Sequence, residues 1–309
     1  MANSNNWGEI YNSTWWGDED WSANSLKIDS APPGFAFTGI LDTYTGAAAA
    51  YSVRKLSSTY TGAALRVRRV SDGTEQDIGF NASNELDTDA LTAFVNGGAG
   101  FVSKWYDQSG GTTYDLSVAA SGQPRIASAS GVVTLEEGKP CLTFNGSSHY
   151  LTLGGTEDAG MFGNISVFSV NKSTANTTTL VATGRTATSN ANQVQWGINS
   201  GSGVYAVETS DGTTKADIVG SESTGSQALT TITNDLSGNL SLFVNGVSDG
   251  STASVSPMND MSQPLEVGRD PWRSSLYFTG TMQELILYAS LPNRTGIESN
   301  ISTYYGITL

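Results

Sequence analysis

Beyond residue 130 the apolar positions fall into short runs at close, regular spacing. These runs are Cys141 to Phe144, Ile165 to Val170, Thr179 to Ala182, Val194 to Ile198, Val204 to Glu208, Ala216 to Val219, Ala228 to Thr233, Leu240 to Val244, Leu265 to Gly268 and Phe278 to Tyr288. Turn signals separate them, among them Asn145-Gly146, Asp211-Gly212, Ser237-Gly238 and Asn245-Gly246. Short β-type runs with no helical periodicity between them predict an antiparallel sandwich rather than βαβ units.

From Phe35 to about Ile126 the pattern is mixed. Tyr51 to Leu56 and Ala64 to Val70 alternate in period two, and Ser71-Asp72-Gly73-Thr74 is the turn that folds the second run against Gln76 to Phe80. Leu86 to Val95 reads as a short inserted helix, with Asp87 or Thr88 as N-cap and Gly97-Gly98 as the stop. At the C-terminus Ile297, Ile301 and Tyr304 recur at i, i+4 and i+7 behind Asn293, which predicts a capped helix with one face on the sandwich.

Residues 1 to about 34 stand apart. Four of the seven tryptophans, Trp7, Trp15, Trp16 and Trp21, lie here among Asn, Ser, Asp and Gly, and the segment closes on Ala31-Pro32-Pro33-Gly34. It is too short and too polar for a core of its own. Its indoles either strap onto the sandwich or anchor the chain to a partner, since Trp dominates interface hot spots. The expected division is therefore 1–34 as extension and 35–309 as one continuous sandwich.

Only 14% of residues are charged, Gly numbers 35, and the net charge is −14. Acidity of this size argues against nucleic acid as a partner, because phosphate binding needs clustered Lys and Arg. The densest basic cluster, Arg66, Arg68 and Arg69, reads as the outward charges of one strand plus a buried ion pair. The single cysteine, Cys141, lies in an apolar run and reads as a small buried hydrophobe, with no intrachain disulfide possible. The opening residues lack the basic and apolar regions of a secretory signal, and no stretch approaches the ~18 apolar residues of a membrane helix. No cofactor is expected. Asp18-Glu19-Asp20 offers oxygen ligands, but its spacing matches no calcium loop and exposed acidic turns explain it.

Two stretches resemble known families. Leu240 to Gly246, Leu265 to Arg269, Phe278 to Tyr288 and the closing Tyr304-Tyr305-Gly306 resemble the laminin-G-like, concanavalin A-like sandwich. That resemblance implies an all-β jelly-roll β-sandwich with a short inserted helix and a C-terminal helix. Ala50 to Ser58, Val67 to Gly73 and, above all, Trp105-Tyr106-Asp107-Gln108-Ser109-Gly110 resemble the N-terminal half of the catalytic domain of B-type α-L-arabinofuranosidases.

Those enzymes are retaining glycosidases, which need two carboxyl groups ~5–5.5 Å apart. The resemblance places Asp270 at the acid/base position, where a turn aspartate before Pro271 is the plainer reading. It sets Tyr205 where the nucleophilic glutamate belongs. Glu208 is displaced by three along the same strand and so faces the other way. With one position lost, hydrolysis becomes the alternative and glycan binding the leading expectation. Its candidates are Trp105, Tyr106, Asp107 and Gln108, with Trp272 as a further platform, although core packing explains Trp105 and Tyr106 equally well. Asn6-Trp7-Gly8-Glu9-Ile10-Tyr11 and Trp15-Trp16-Gly17 resemble the starts of virion proteins from marine tailed phages, including cyanophages. This implies a virion surface subunit for attachment, fibre or decoration. Its expected partners are other virion proteins through the N-terminal extension, host glycans and further copies of itself, without membrane insertion.

Overall fold

The computed structural model describes residues 37–110, 114–153, 159–160, 163–174, 178–182, 193–198, 204–210, 213–223, 225–255, 264–270 and 276–309. The chain divides into two units, Met1–Ala36 and Phe37–Leu309. The first unit, with Trp7, Trp15, Trp16 and Trp21, lies outside the described residues, as does Trp272.

In chain order the first strands are β1 (Ala49–Ser52), β2 (Leu65–Arg69), β3 (Glu75–Ile78), β4 (Gly100–Trp105), β5 (Leu116–Ser117), β6 (Arg125–Ala127), β7 (Leu135–Glu136), β8 (Lys139–Pro140), β9 (Leu142–Asn145) and β10 (Leu151–Thr152). Then come β11 (Ile165–Ser173), β12 (Thr178–Ala182), β13 (Gln193–Ile198), β14 (Val204–Ser210), β15 (Lys215–Ser223), β16 (Ala228–Asn234), β17 (Asn239–Val244), β18 (Val247–Ala253), β19 (Glu266–Val267) and β20 (Thr279–Tyr288). The helices are α1 (Ile40–Thr43), α2 (Thr88–Val95) and α3 (Arg294–Tyr305).

Every pairing between these strands is antiparallel. The back sheet runs β1–β20–β11–β16–β17–β18, and the front sheet runs β3–β2–β4–β5–β10–β19–β12–β13–β14–β15. Strands β9 and β6 carry the pairing from β20 round to β4, so the two sheets form one hydrogen-bonded system. Between them lies the main core, where Tyr51, Val167, Ile232, Leu242 and Leu287 of the back sheet meet Leu65, Trp105, Val181, Trp196, Val207 and Val267 of the front.

Sequence dictates much of this locally. The β17–β18 hairpin turns on Asn245 and Gly246 at φ 49° and 76°, the left-handed pair that a two-residue loop demands. Asp87 caps α2 by accepting from the Ala90 N–H, and Asn293 caps α3 by accepting from the Gly296 N–H. The helix α2 stops at Asn96, in the left-handed conformation, ahead of the expected Gly97-Gly98.

The outer face of the back sheet has its own core. Ala50, Phe168, Val170, Leu229, Ile286 and Tyr288 are covered by Ile40 and Leu41 of α1 and by Ile297, Ile301 and Tyr305 of α3. In α3 Tyr305 is buried with Ile297 and Ile301, and the expected Tyr304 packs partly buried against the same cluster. Tyr304 also lies under the cations of Arg54 and Lys139.

The basic cluster also differs from expectation. Arg66 and Arg69 make exposed ion pairs with Asp77 and Asp72, while the buried pair is Arg54 with Glu284. Arg54 donates through Nε and Nη2 to the two carboxylate oxygens of Glu284 (2.7 and 2.9 Å), and its Nη1 reaches Asn300 of α3 (3.1 Å). The reason is topological: strand pairing on β1 ends at Ser52, and Arg54 then turns beneath α3.

Candidate functional site

The Trp105–Gly110 motif is a brace within the fold. Trp105 is fully buried against Tyr51, their ring centroids 5.8 Å apart. Gln108 accepts from the Leu56 N–H (2.9 Å) and donates to the Ser52 and Arg54 carbonyls (both 3.1 Å), which latches the end of β4 to the segment after β1. Asp107 accepts from the backbone N–H groups of Ala50 (2.8 Å) and Ser109 (2.9 Å) and from the Ser109 hydroxyl (2.8 Å). Burial raises the Asp107 pKa, and these hydrogen bonds offset part of that rise. Tyr106 alone reaches the outer face, donating its hydroxyl to Asp77 (2.8 Å) beside Lys104 and Arg66. Of the four side chains of this motif proposed to contact sugar, three are thus committed to holding the fold.

Tyr205 is likewise interior. Its hydroxyl donates to Asn171 Oδ1 (3.2 Å), and Asn171 donates in turn to Ser169 and Thr230, closing a polar cluster inside the main core. Strand alternation then turns Glu208 to the outer face, as expected.

Register decides what meets Glu208 there. Cross-strand partners share a face, with Cβ atoms ~4.5–5.5 Å apart. Following the pairs across the front sheet gives one continuous row: Asp77, Arg66, Lys104, Ser117, Thr152, Glu266, the Ala182 position, Gln195, Glu208 and Asp217. The neighbouring row, Leu151, Val267, Val181, Trp196, Val207 and Ile218, points the other way into the core. Asp270, only 2% exposed, joins the polar row because Gln195 donates Nε2 to its Oδ2 (3.4 Å). Glu208 pairs with Lys215, and Glu266 accepts a two-pronged bond from Arg269, which lies 3.6 Å over the ring of Tyr150.

Two carboxylates, Glu208 and Asp270, therefore share the outer face with Gln195 between them. Local sequence placed each one separately; sheet register brought them together. Gln195 escaped the sequence reading because no motif marks it and only its pairing with Glu208 gives it a place. A pocket of about 390 Å³ opens elsewhere, beside α1, but its one carboxylate, Asp42, is already bonded to the Gly39 and Ser58 N–H groups and to the Ser57 hydroxyl.

Comparison with known proteins agrees with this architecture. The family described as the concanavalin A-like lectin/glucanases superfamily matches residues 145–297. The fold is a concanavalin A-like jelly roll. The family described as alpha-L-arabinofuranosidase B, catalytic, matches residues 41–187 of this jelly roll, ending before Gln195, Glu208 and Asp270. Among solved structures, an arabinofuranosidase complexed with arabinofuranosyl-alpha-1,2-xylobiose superposes with TM-score 0.64 at 17% identity, covering 85% of this chain and 64% of that one. A GH54 α-L-arabinofuranosidase soaked with a cyclic sulfate inhibitor gives 0.62 at 16%, covering 82% and 62%. The chain thus spans less than two thirds of either structure. No curated protein sequence matches it.

Proposed function

We propose that the chain is a lectin-like, glycan-binding jelly roll whose sugar site is the outer face of the front sheet around Gln195, Glu208 and Asp270. The row that places an amide between two carboxylates carries this reading, since such groups orient sugar hydroxyls. The arabinofuranosidase structure with its bound arabinofuranosyl-xylobiose suggests the first ligand to try. Titration calorimetry with arabinofuranosyl-xylobiose should show binding that is lost in Gln195→Ala and Glu208→Gln and kept in Asp72→Asn. Equal binding by all four proteins would overturn the assignment.

Co-facial Glu208 and Asp270 also favour a second reading, furanoside hydrolysis by double displacement. Gln195 stands between the two, hydrogen-bonded to Asp270 and directly opposite Glu208, which is why binding comes first. Release of nitrophenol from 4-nitrophenyl α-L-arabinofuranoside that disappears in both Asp270→Asn and Glu208→Gln would promote this reading over the first.

We further propose a virion as the setting, with the chain as an attachment, fibre or decoration subunit joined to other virion proteins through residues 1–34. The opening Trp-rich motifs support this. A mass-spectrometric inventory of purified particles should contain the chain, and a chain shortened to begin at Phe35 should fold yet fail to join them. Absence of the full chain from particles removes the proposal.

A further inference from the structure

Seven arginines lie among the described residues, and five face a carboxylate: Arg54, Arg66, Arg69, Arg269 and Arg294. Arg68 and Arg125 do not, among the described residues, although the chain carries a net charge of −14. These two residues are the cross-strand neighbours of one aromatic residue. In the register of β2, β4 and β6, Arg68 pairs with Phe101 and Phe101 pairs with Arg125. The Arg68 guanidinium lies 5.6 Å from the Phe101 ring centre and donates Nε to the neutral amide of Gln123 (2.7 Å). The Nε of Arg125 is buried without a hydrogen-bond partner. His149 stands edge-on to the same ring at 5.9 Å, held through Nδ1 at the Thr143 carbonyl. Next to it Tyr150 carries Arg269, whose partner Glu266 belongs to the polar row of the candidate site.

A buried guanidinium N–H with no acceptor is costly unless a ligand supplies one. The arginine fork matches a carboxylate or a sulfate ester in two-pronged geometry, and an aromatic residue between the two arginines in the register suits the C–H face of a sugar ring. We infer that Arg68 and Arg125, on either side of Phe101, hold the anionic group of an acidic sugar, so that the glycan recognised by this face is an acidic one. The inference rests on the glycan-binding reading of the front sheet and extends it by a second, charge-selective contact.

The test uses the full chain and four probes: trigalacturonate, its fully methyl-esterified form, a sulfated galactotriose, and arabinofuranosyl-xylobiose as the neutral reference. Trigalacturonate should bind at least tenfold more tightly than its methyl ester. Arg68→Gln and Arg125→Gln should each remove about tenfold of that preference, as expected for loss of a charge-assisted hydrogen bond. Arg68→Lys and Arg125→Lys keep the charge without the fork and should fall between, which guards against a folding defect in the glutamine variants. Preference for the sulfated probe with the same sensitivity to both arginines assigns the site to a sulfate ester instead of a carboxylate. If arabinofuranosyl-xylobiose binds but esterification and the arginine substitutions change nothing, this inference falls and the glycan reading stands. If no probe binds, both fall.

Discussion

Strands β11 and β20 are buried along both faces, whereas the front sheet from β19 to β15 buries one face and leaves the other polar. The back of the molecule is accordingly a three-layer stack of helix, sheet and core, tied through the fully buried Glu284, which accepts from Arg54, Ser52 and Tyr305. On the front, ion pairs such as Glu208 with Lys215 keep partial access to solvent. Stability should therefore concentrate behind the core and ligand chemistry in front of it. Substitutions on the two sides should separate cleanly.

The sharpest break comes from the back. Glu284→Ala strands the Arg54 cation in a buried setting and should lower unfolding free energy by about 3–5 kcal/mol, read by urea denaturation. A loss below 1 kcal/mol would mean that water reaches this pair and the contrast between the layers is false. Next comes the brace: Gln108→Ala leaves the Leu56 N–H without its acceptor and two carbonyls without their donor, at a cost of about 1–3 kcal/mol, with glycan affinity unchanged. Loss of affinity at unchanged stability would instead return Gln108 to the site.

On the front, Glu208→Gln should alter stability by less than about 1 kcal/mol, because partly exposed ion pairs contribute little. Its effect belongs in the binding isotherm. The smallest effect is pH-dependent. Burial, together with the neighbouring Arg125 charge and against a hydrogen bond to the Thr143 carbonyl, lowers the pKa of His149 below its ordinary 6.5. The folded state then takes up fewer protons at this site than the unfolded chain. The contribution of His149 to stability is thus present above pH 6.5 and lost as pH falls from there through the lowered value. Comparing urea midpoints at pH 7.5 and 5.5 should give a smaller drop for His149→Asn than for the unsubstituted chain, and equal drops would show that the imidazole is freely solvated.

Much of the architecture was legible residue by residue. Alternation and turn chemistry located the hairpins, Asn245-Gly246 foremost, and the caps Asp87 and Asn293 began the two longer helices where spacing placed them. Cys141 is buried, as its apolar run implied. These features depend on neighbours within a few positions, where backbone sterics and local hydrogen bonds decide the outcome.

What sequence could not decide was the partner of each side chain across the sheets. Arg54 looked like an alternating strand residue and became half of a buried ion pair through Glu284, 230 positions away. The aromatic-acidic motif at Trp105–Gln108 read equally as sugar platform and as core, and the fold uses Trp105, Asp107 and Gln108 as a latch to β1 and the segment after it while Tyr106 faces outward. Glu208, Gln195 and Asp270 had no common meaning until β13 paired with β14 and Asp270 came to rest beside Gln195. A strand's own alternation settles which residues share a face, but a shift of one residue in register would exchange every cross-strand partner. The local pattern thus determined which side chains face outward, and only the tertiary pairing of distant strands determined which of them meet.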